Sequence, residues 1–212
     1  MPIHKGAVTA SRYFVVEGGK GGKDPRRALA NGLRKLAFEP LDRDGDEDRS
    51  AGWVEVENHD STELAPSSFM LGEHVILTWR IDALRVPTAQ AKAELETWAK
   101  AFQTKQNRPP SKKERSEEKE VIVRKLRKRA FISSKTFDVS WSQASGVVLI
   151  WASSRKVVEE VIVALEESVG LTLRSTSPGA SAEASGIAAD QLSPTAALFG
   201  EETAQETKRH AS

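Results

Sequence analysis

Residues 109–152 read PPSKKERSEEKEVIVRKLRKRAFISSKTFDVSWSQASGVVLIWA, and this stretch decides the fold. A proline pair opens it, and in the charged segment that follows Ile122, Leu126 and Ala130 recur every fourth residue. That spacing puts all three on one stripe of an α-helix, a stripe that needs a partner surface. At Arg129-Ala130-Phe131 the pattern breaks. Residues 136–141 and 147–151 then alternate around SQASG, which predicts two strands joined as a hairpin with Gly146 at its exit. Phe137, Val139 and Trp141 share one face of the first strand, and Val147, Leu149 and Trp151 one face of the second. An aromatic sheet face can stack bases. The amphipathic helix that comes next must be buried against something, so these faces are read as core.

The charges of the same stretch are segregated. Lys112, Lys113, Arg115, Lys119, Arg124, Lys125, Arg127, Lys128 and Arg129 surround the stripe, with Lys135 just beyond it. Glu114, Glu117, Glu118 and Glu120 offset the first half only, and residues 121–135 contain no acid. Acids early and bases late suit the helix dipole, and on that reading the run is a solvated face. The sharper reading is a polyanion-binding helix, because neighbouring cations neutralise adjacent phosphates together. These ten residues are the candidate DNA-binding set, chosen by charge. Arg124 and Lys128 lie one turn apart, and Lys125 and Arg129 form the adjacent row.

Composition sets the limits. The chain has 212 residues, 39% of them hydrophobic and 29% charged, which is enough apolar content for one core. Its formal net charge is +1, so nucleic-acid binding must come from charge segregation and not from overall excess. There is no cysteine, which excludes disulfides, thiolate catalysis and thiolate-held zinc. No run approaches the 18 apolar residues of a membrane helix, and residues 1–11 lack a signal-peptide core. A cytoplasmic protein without membrane contact is expected.

Outward from the central stretch, residues 8–16 read as a strand and GGKGGK (18–23) as a connector. A phosphate loop needs Ser or Thr after its Gly-Lys, and Asp24 stands there. Only Lys20 and Lys23 remain to touch phosphates. Asp24-Pro25 predicts a helix start with an N-cap acid, with Leu29, Leu33 and Leu36 on the buried face and Pro40 as the stop. DRDGDED (42–48) lacks the Gly and Glu of a calcium loop at the required positions and reads as a solvated acidic loop. WVEVE (53–57) predicts a strand with Glu55 and Glu57 on its wet face. Residues 58–71 read as irregular, 74–84 as a central strand, and 88–106 as a helix with Ala91, Leu95, Trp98, Ala99 and Phe102 on one side. A helix over 153–169, closed by Gly170, and a strand over 171–174 complete the ordered chain.

The expected fold is α+β, with mixed or antiparallel sheets and long charged helices. The expected division is an ordered DNA-binding region over 1–175 and a Ser/Ala/Glu-rich disordered tail over 176–212. In that tail Leu192 and residues 196–199 form a short apolar patch suited to docking a partner.

The order of features resembles a family. KKERSEEKEVIVRKLRKRAF followed by FDVSWSQASGVVLIWASSRKVVEEVIVALEESVG is similar to the middle of the bacterial recombination-associated RdgC family. There a charged helix ends in a Pro-Arg-Ala-Phe-like step, before a hairpin with a Trp and an Ala-Ser-x-Lys helix. Leu36-Ala37-Phe38-Glu39-Pro40, Gly52-Trp53-Val54, residues 72–77 and Val86-Pro87 extend the resemblance over most of 7–175. Lys128 stands where the family has proline, and the family's long C-terminal region is expected to be missing. The resemblance implies a non-catalytic, sequence-independent binder of double-stranded DNA acting around recombination. It also implies a homodimer closing into a ring with a positively charged hole, nucleoid association, and recombination proteins as further partners. No cofactor, metal or catalytic residue is expected: the four histidines are scattered and neither His-Glu-x-x-His nor Gly-x-Ser-x-Gly occurs. The alternatives are a protein–protein adaptor using the charged helix and the tail, and a divalent-metal nuclease using Glu55 and Glu57.

Overall fold

A computed structural model describes residues 9–18, 24–176, 179, 182, 186 and 187. Lys20, Lys23 and the apolar patch of the expected tail lie outside the described residues. In chain order the elements are β1 (Ser11–Gly18), α1 (Pro25–Lys35), β2 (Arg49–Val54), α2 (Pro66–Phe69), β3 (Met70–Leu71), β4 (His74–Leu84), α3 (Thr88–Gln106), α4 (Lys112–Arg129), β5 (Ile132–Ser142), β6 (Val147–Ile150), α5 (Arg155–Val169) and β7 (Leu171–Ser175). The strands form one sheet in the order β2-β4-β5-β6-β1-β7, with β3 paired to β4, and every described strand pairing is antiparallel. The fold is α+β.

One sheet face carries the core. Cross-strand pairs Trp53↔Trp79, Leu77↔Val139, Val75↔Trp141 and Trp141↔Val148 set the apolar positions of four strands side by side. Leu29, Ala30 and Leu33 of α1 and Val158, Val161, Ala164 and Leu165 of α5 cover them, giving one continuous cluster. Helix α1 starts as its sequence dictates: the Asp24 carboxylate accepts from the Arg27 N–H, and Pro25 occupies the first turn. It ends at Lys35, well short of Pro40. Where α1 crosses α5, a Cβ on Gly32 would lie 1.7 Å from the Ser168 carbonyl oxygen, so only glycine permits this approach. Gly170 closes α5 at φ +65°.

Strand positions and faces depart from the sequence reading in several places. Strand β2 begins at Arg49 and ends at Val54, so Glu55 and Glu57 follow the strand and do not share a strand face. The buried Trp53 and Val54 are pulled inward by backbone bonds between Trp53 and Leu36 and Phe38, which shifts the strand toward its N-terminal side. Residues 66–71, expected to be irregular, form α2 and β3. In the β5–β6 hairpin, Val139 and Trp141 are in the core with Phe137 packed against it. On β6 the core side is Val148 and Ile150; Val147, Leu149 and Trp151 are half-buried on the opposite face, where the Trp151 indole N–H donates to Ser140 Oγ at 3.3 Å.

That opposite face is polar at its centre. Thr78 is fully buried and donates to Asp138 at 2.9 Å, and Arg80 makes paired bonds of 2.9 Å to both oxygens of Asp82. Arg80 also reaches the His59 carbonyl and Asp60, which lays the 55–64 segment over this side.

Candidate nucleic-acid interface

Between β4 and β5 the chain leaves the sheet as an antiparallel helical hairpin, α3 and α4. The two helices pack on each other and not extensively on the sheet. Ala91 of α3 meets Ile122 and Leu126 of α4, with Val86, Leu95 and Val123 around them. Ala130 sits in a second small cluster with Leu41 and Leu84. The apolar stripe read from the sequence thus finds its partner within the chain, and the stripe itself supplies no argument for self-association.

Helix α4 is capped at both ends. Ser111 and Glu114 form a reciprocal capping box, and Arg108 grips the Glu114 carboxylate at 2.6 and 2.9 Å. The Arg108 bonds first, then those from Ser111, hold the Glu114 carboxyl down at about 2. At the other end Arg43 donates to the carbonyls of Lys128 (2.9 Å) and Ala130 (3.1 Å), placing a cation where the helix dipole is negative.

The cationic half of α4 is not uncompensated, as the linear charge pattern suggested. Arg127 is buried, ion-paired to Asp48 and bonded to the Glu47 carbonyl. Lys128 Nζ lies 2.7 Å from Asp44, which it holds below the usual carboxylate range, and Lys125 lies 4.0 Å from Glu94 of α3. The acidic loop 42–48 is therefore not merely solvated: it lies against the basic helix. Arg124 and Arg129 are exposed and have no ion pair among the described residues.

The other candidates divide along the helix. Lys112, Lys113 and Arg115 are exposed near its start, with Lys113 3.9 Å from Glu117. At 1.5 Å per residue they lie about 21 to 26 Å along the helix from Arg129, so the nine helical cations are no single patch. Lys119, Arg124 and Arg127 line an open cleft between α4, the start of α3 and the acidic loop; Lys135 is exposed on β5. Arg85 and Lys92 line the same cleft and escaped the sequence reading. They are single charges flanking Val86-Pro87 and inside a mixed helix, so only the fold reveals them. Arg43 did leave a signal, as the one base before the Gly of an acidic loop. Among the described residues no three His, Cys, Asp or Glu side chains are grouped as a metal site would require, and no helix is long and apolar enough to cross a membrane.

The class is thus an α+β protein with one antiparallel sheet, helices on one face, and a protruding cationic helical hairpin. A family model described as "Putative exonuclease, RdgC" matches residues 23–188, and the chain belongs to the RdgC family. The chain is 27% identical over 108 residues to the "Recombination-associated protein RdgC" of Pseudomonas putida strain GB-1, covering 51% of this chain and 35% of that protein. It is 27% identical over 147 residues to the protein of the same description from Actinobacillus succinogenes, covering 68% of this chain and 45% of that protein. The chain spans less than half the length of these curated relatives.

Proposed function

We propose that this chain binds double-stranded DNA without sequence preference, without cleaving it, and acts in DNA recombination. The observation that carries the reading is the exposed pair Arg124 and Arg129 on a helix whose second half has no acid of its own. Membership of a family whose relatives are named for recombination supplies the biological setting. Bound to chromosomal DNA in the cytoplasm, the protein is nucleoid-associated. It works as a homodimer, for which Phe131 is the natural contact: this side chain is 93% exposed where the hairpin rejoins the sheet at β5. Two such copies closing into a ring would concentrate cations on an inner surface while leaving net charge near zero.

The test is a titration of two unrelated duplexes across a salt series with wild type and Arg124→Ala/Arg129→Ala. Each phosphate that is no longer neutralised should flatten the log–log salt slope by about 0.9, so the double variant should lose roughly two such steps on both duplexes. An unchanged slope in a folded variant overturns the reading. Incubating plasmid with magnesium or manganese should leave it intact; cleavage that disappears in Glu55→Ala or Glu57→Ala would install the nuclease instead.

The adaptor alternative draws on a specific observation. Arg127, Lys128 and Lys125 are already matched by acids of this chain, as expected if the charge run is structural.

A further inference from the structure

We propose that the acidic loop 42–48 is an intramolecular competitor for phosphate at the cationic end of α4, with Asp44 as the competing group and Lys128 as the cation it occupies. The proposal rests on the duplex-binding reading above and adds to it what sets its threshold. In the loop, attachment and competition fall to different residues. Attachment comes from Arg43 on the Lys128 and Ala130 carbonyls, from Arg127 held by Asp48 and the Glu47 carbonyl, and from the Leu84 N–H donated to the Asp48 carbonyl at 2.8 Å. None of these needs Asp44.

The Asp44–Lys128 pair is of another kind. Its side chains are 69% and 56% exposed, so water reaches both partners and exchanging one anion for another is cheap. Asp46 stands beside it, exposed, lining the cleft that Arg124 and Lys119 also line. A carboxylate at 2.7 Å from a lysine occupies the position a phosphate oxygen would take. At Lys128 a ligand bringing one phosphate forms a single ion pair and must displace Asp44 to do so. A duplex brings phosphates to Arg124 and Arg129 as well, and can displace it. The loop thus favours polymeric polyanions over single anions.

The experiment measures anisotropy of a labelled duplex with the full chain over a salt series. Asp44→Asn should bind roughly fivefold tighter than wild type at low salt, a gain that shrinks as salt screens the competing carboxylate. In a Lys128→Ala background the same substitution should bring no gain. Glu167→Gln, which removes an exposed charge on α5, should change affinity by less than about twofold because screening acts over about 10 Å. Should Asp44→Asn fail to fold, Asp44→Ser removes the same carboxylate and carries the same expectation. Equal affinity of wild type and Asp44→Asn, or a gain undiminished by Lys128→Ala, overturns the competitor while leaving duplex binding in place. Absence of duplex binding by both wild type and Asp44→Asn overturns the duplex reading itself, and a silent wild type with a binding Asp44→Asn supports both.

Discussion

Trp53 is fully buried beneath α5, with its indole N–H donated to Ser168 at 2.9 Å, whereas Phe131, at the foot of the helical hairpin, is 93% exposed. The two residues stand for two regions built on different principles. In the sheet body, 19 buried side chains form one continuous cluster drawn from the strands, from α1, α2 and α5, and from the connecting residues Leu64 and Ala152. In the hairpin, three buried apolar side chains join α3 to α4, and attachment to the body comes from the small cluster of Leu41, Leu84 and Ala130 together with ionic and backbone-carbonyl contacts. Stability therefore resides in the body, and the hairpin is a surface element held by a small apolar foot and by charge. A polyanion-binding element benefits from such a division, because its cations can exchange partners without disturbing the core.

The largest effect expected from this contrast is in the body. Leu33, fully buried, should cost about 2–5 kcal/mol of global stability on truncation to alanine, read by urea unfolding. Leu126→Ala should barely move that global transition and should instead raise amide exchange in α3 and α4, as local opening does. Equal losses of the global transition in the two variants would erase the distinction. A smaller effect is expected at the join. Arg127→Ala removes a buried group from between the loop and α4, at a cost of about 1–3 kcal/mol, and should expose residues 42–48 to proteolysis while the body stays folded.

Acid sharpens the contrast further. The folded-state pKa of Glu114 is depressed from 4.5 to about 2, so its contribution is fully present above about 4.5 and lost as pH falls toward 2. The first turn of α4 should fray over that window in amide-resolved NMR, and Glu114→Gln should abolish the pH dependence. The smallest effect is Lys128→Ala. Its pair with Asp44 is exposed, so thermal unfolding should be unchanged within error, and any consequence should appear in DNA titration alone.

Much of this architecture is legible in the sequence, because local rules dominate where they are strong. Asp24-Pro25 starts a helix, His74–Leu84 is an interior strand, Thr88–Gln106 and the 112–129 helix stand where periodicity put them, and Gly170 ends α5. Features that depend on tertiary partners are the ones linear patterns miss. Strand β2 is displaced because Trp53 is bonded to Leu36 and Phe38, which no alternation pattern records. The cationic run looked unbalanced because its acids, Asp44 and Asp48, lie about 80 residues earlier in the chain. Arg127 and Lys128 are neighbours with the same charge type, yet one is buried and the other exposed. Helical phase relative to a distant loop decides that, and linear spacing cannot.

The α3–α4 hairpin leaves the sheet after Leu84 and returns at Ile132, two residues that face each other across β4 and β5. Topologically it is an insertion into the turn of a β-hairpin, with both feet on a single cross-strand pair. In mechanical terms it is a lever on a narrow base: a pull on its tip is delivered to the sheet at one edge of the β4–β5 ladder, bearing on Leu41, Leu84 and Ala130. The same geometry makes it interchangeable. A short turn joining Leu84 to Ile132 would close the ladder with the body's main apolar cluster intact, so the hairpin can lengthen, shorten or change charge independently of the fold that carries it.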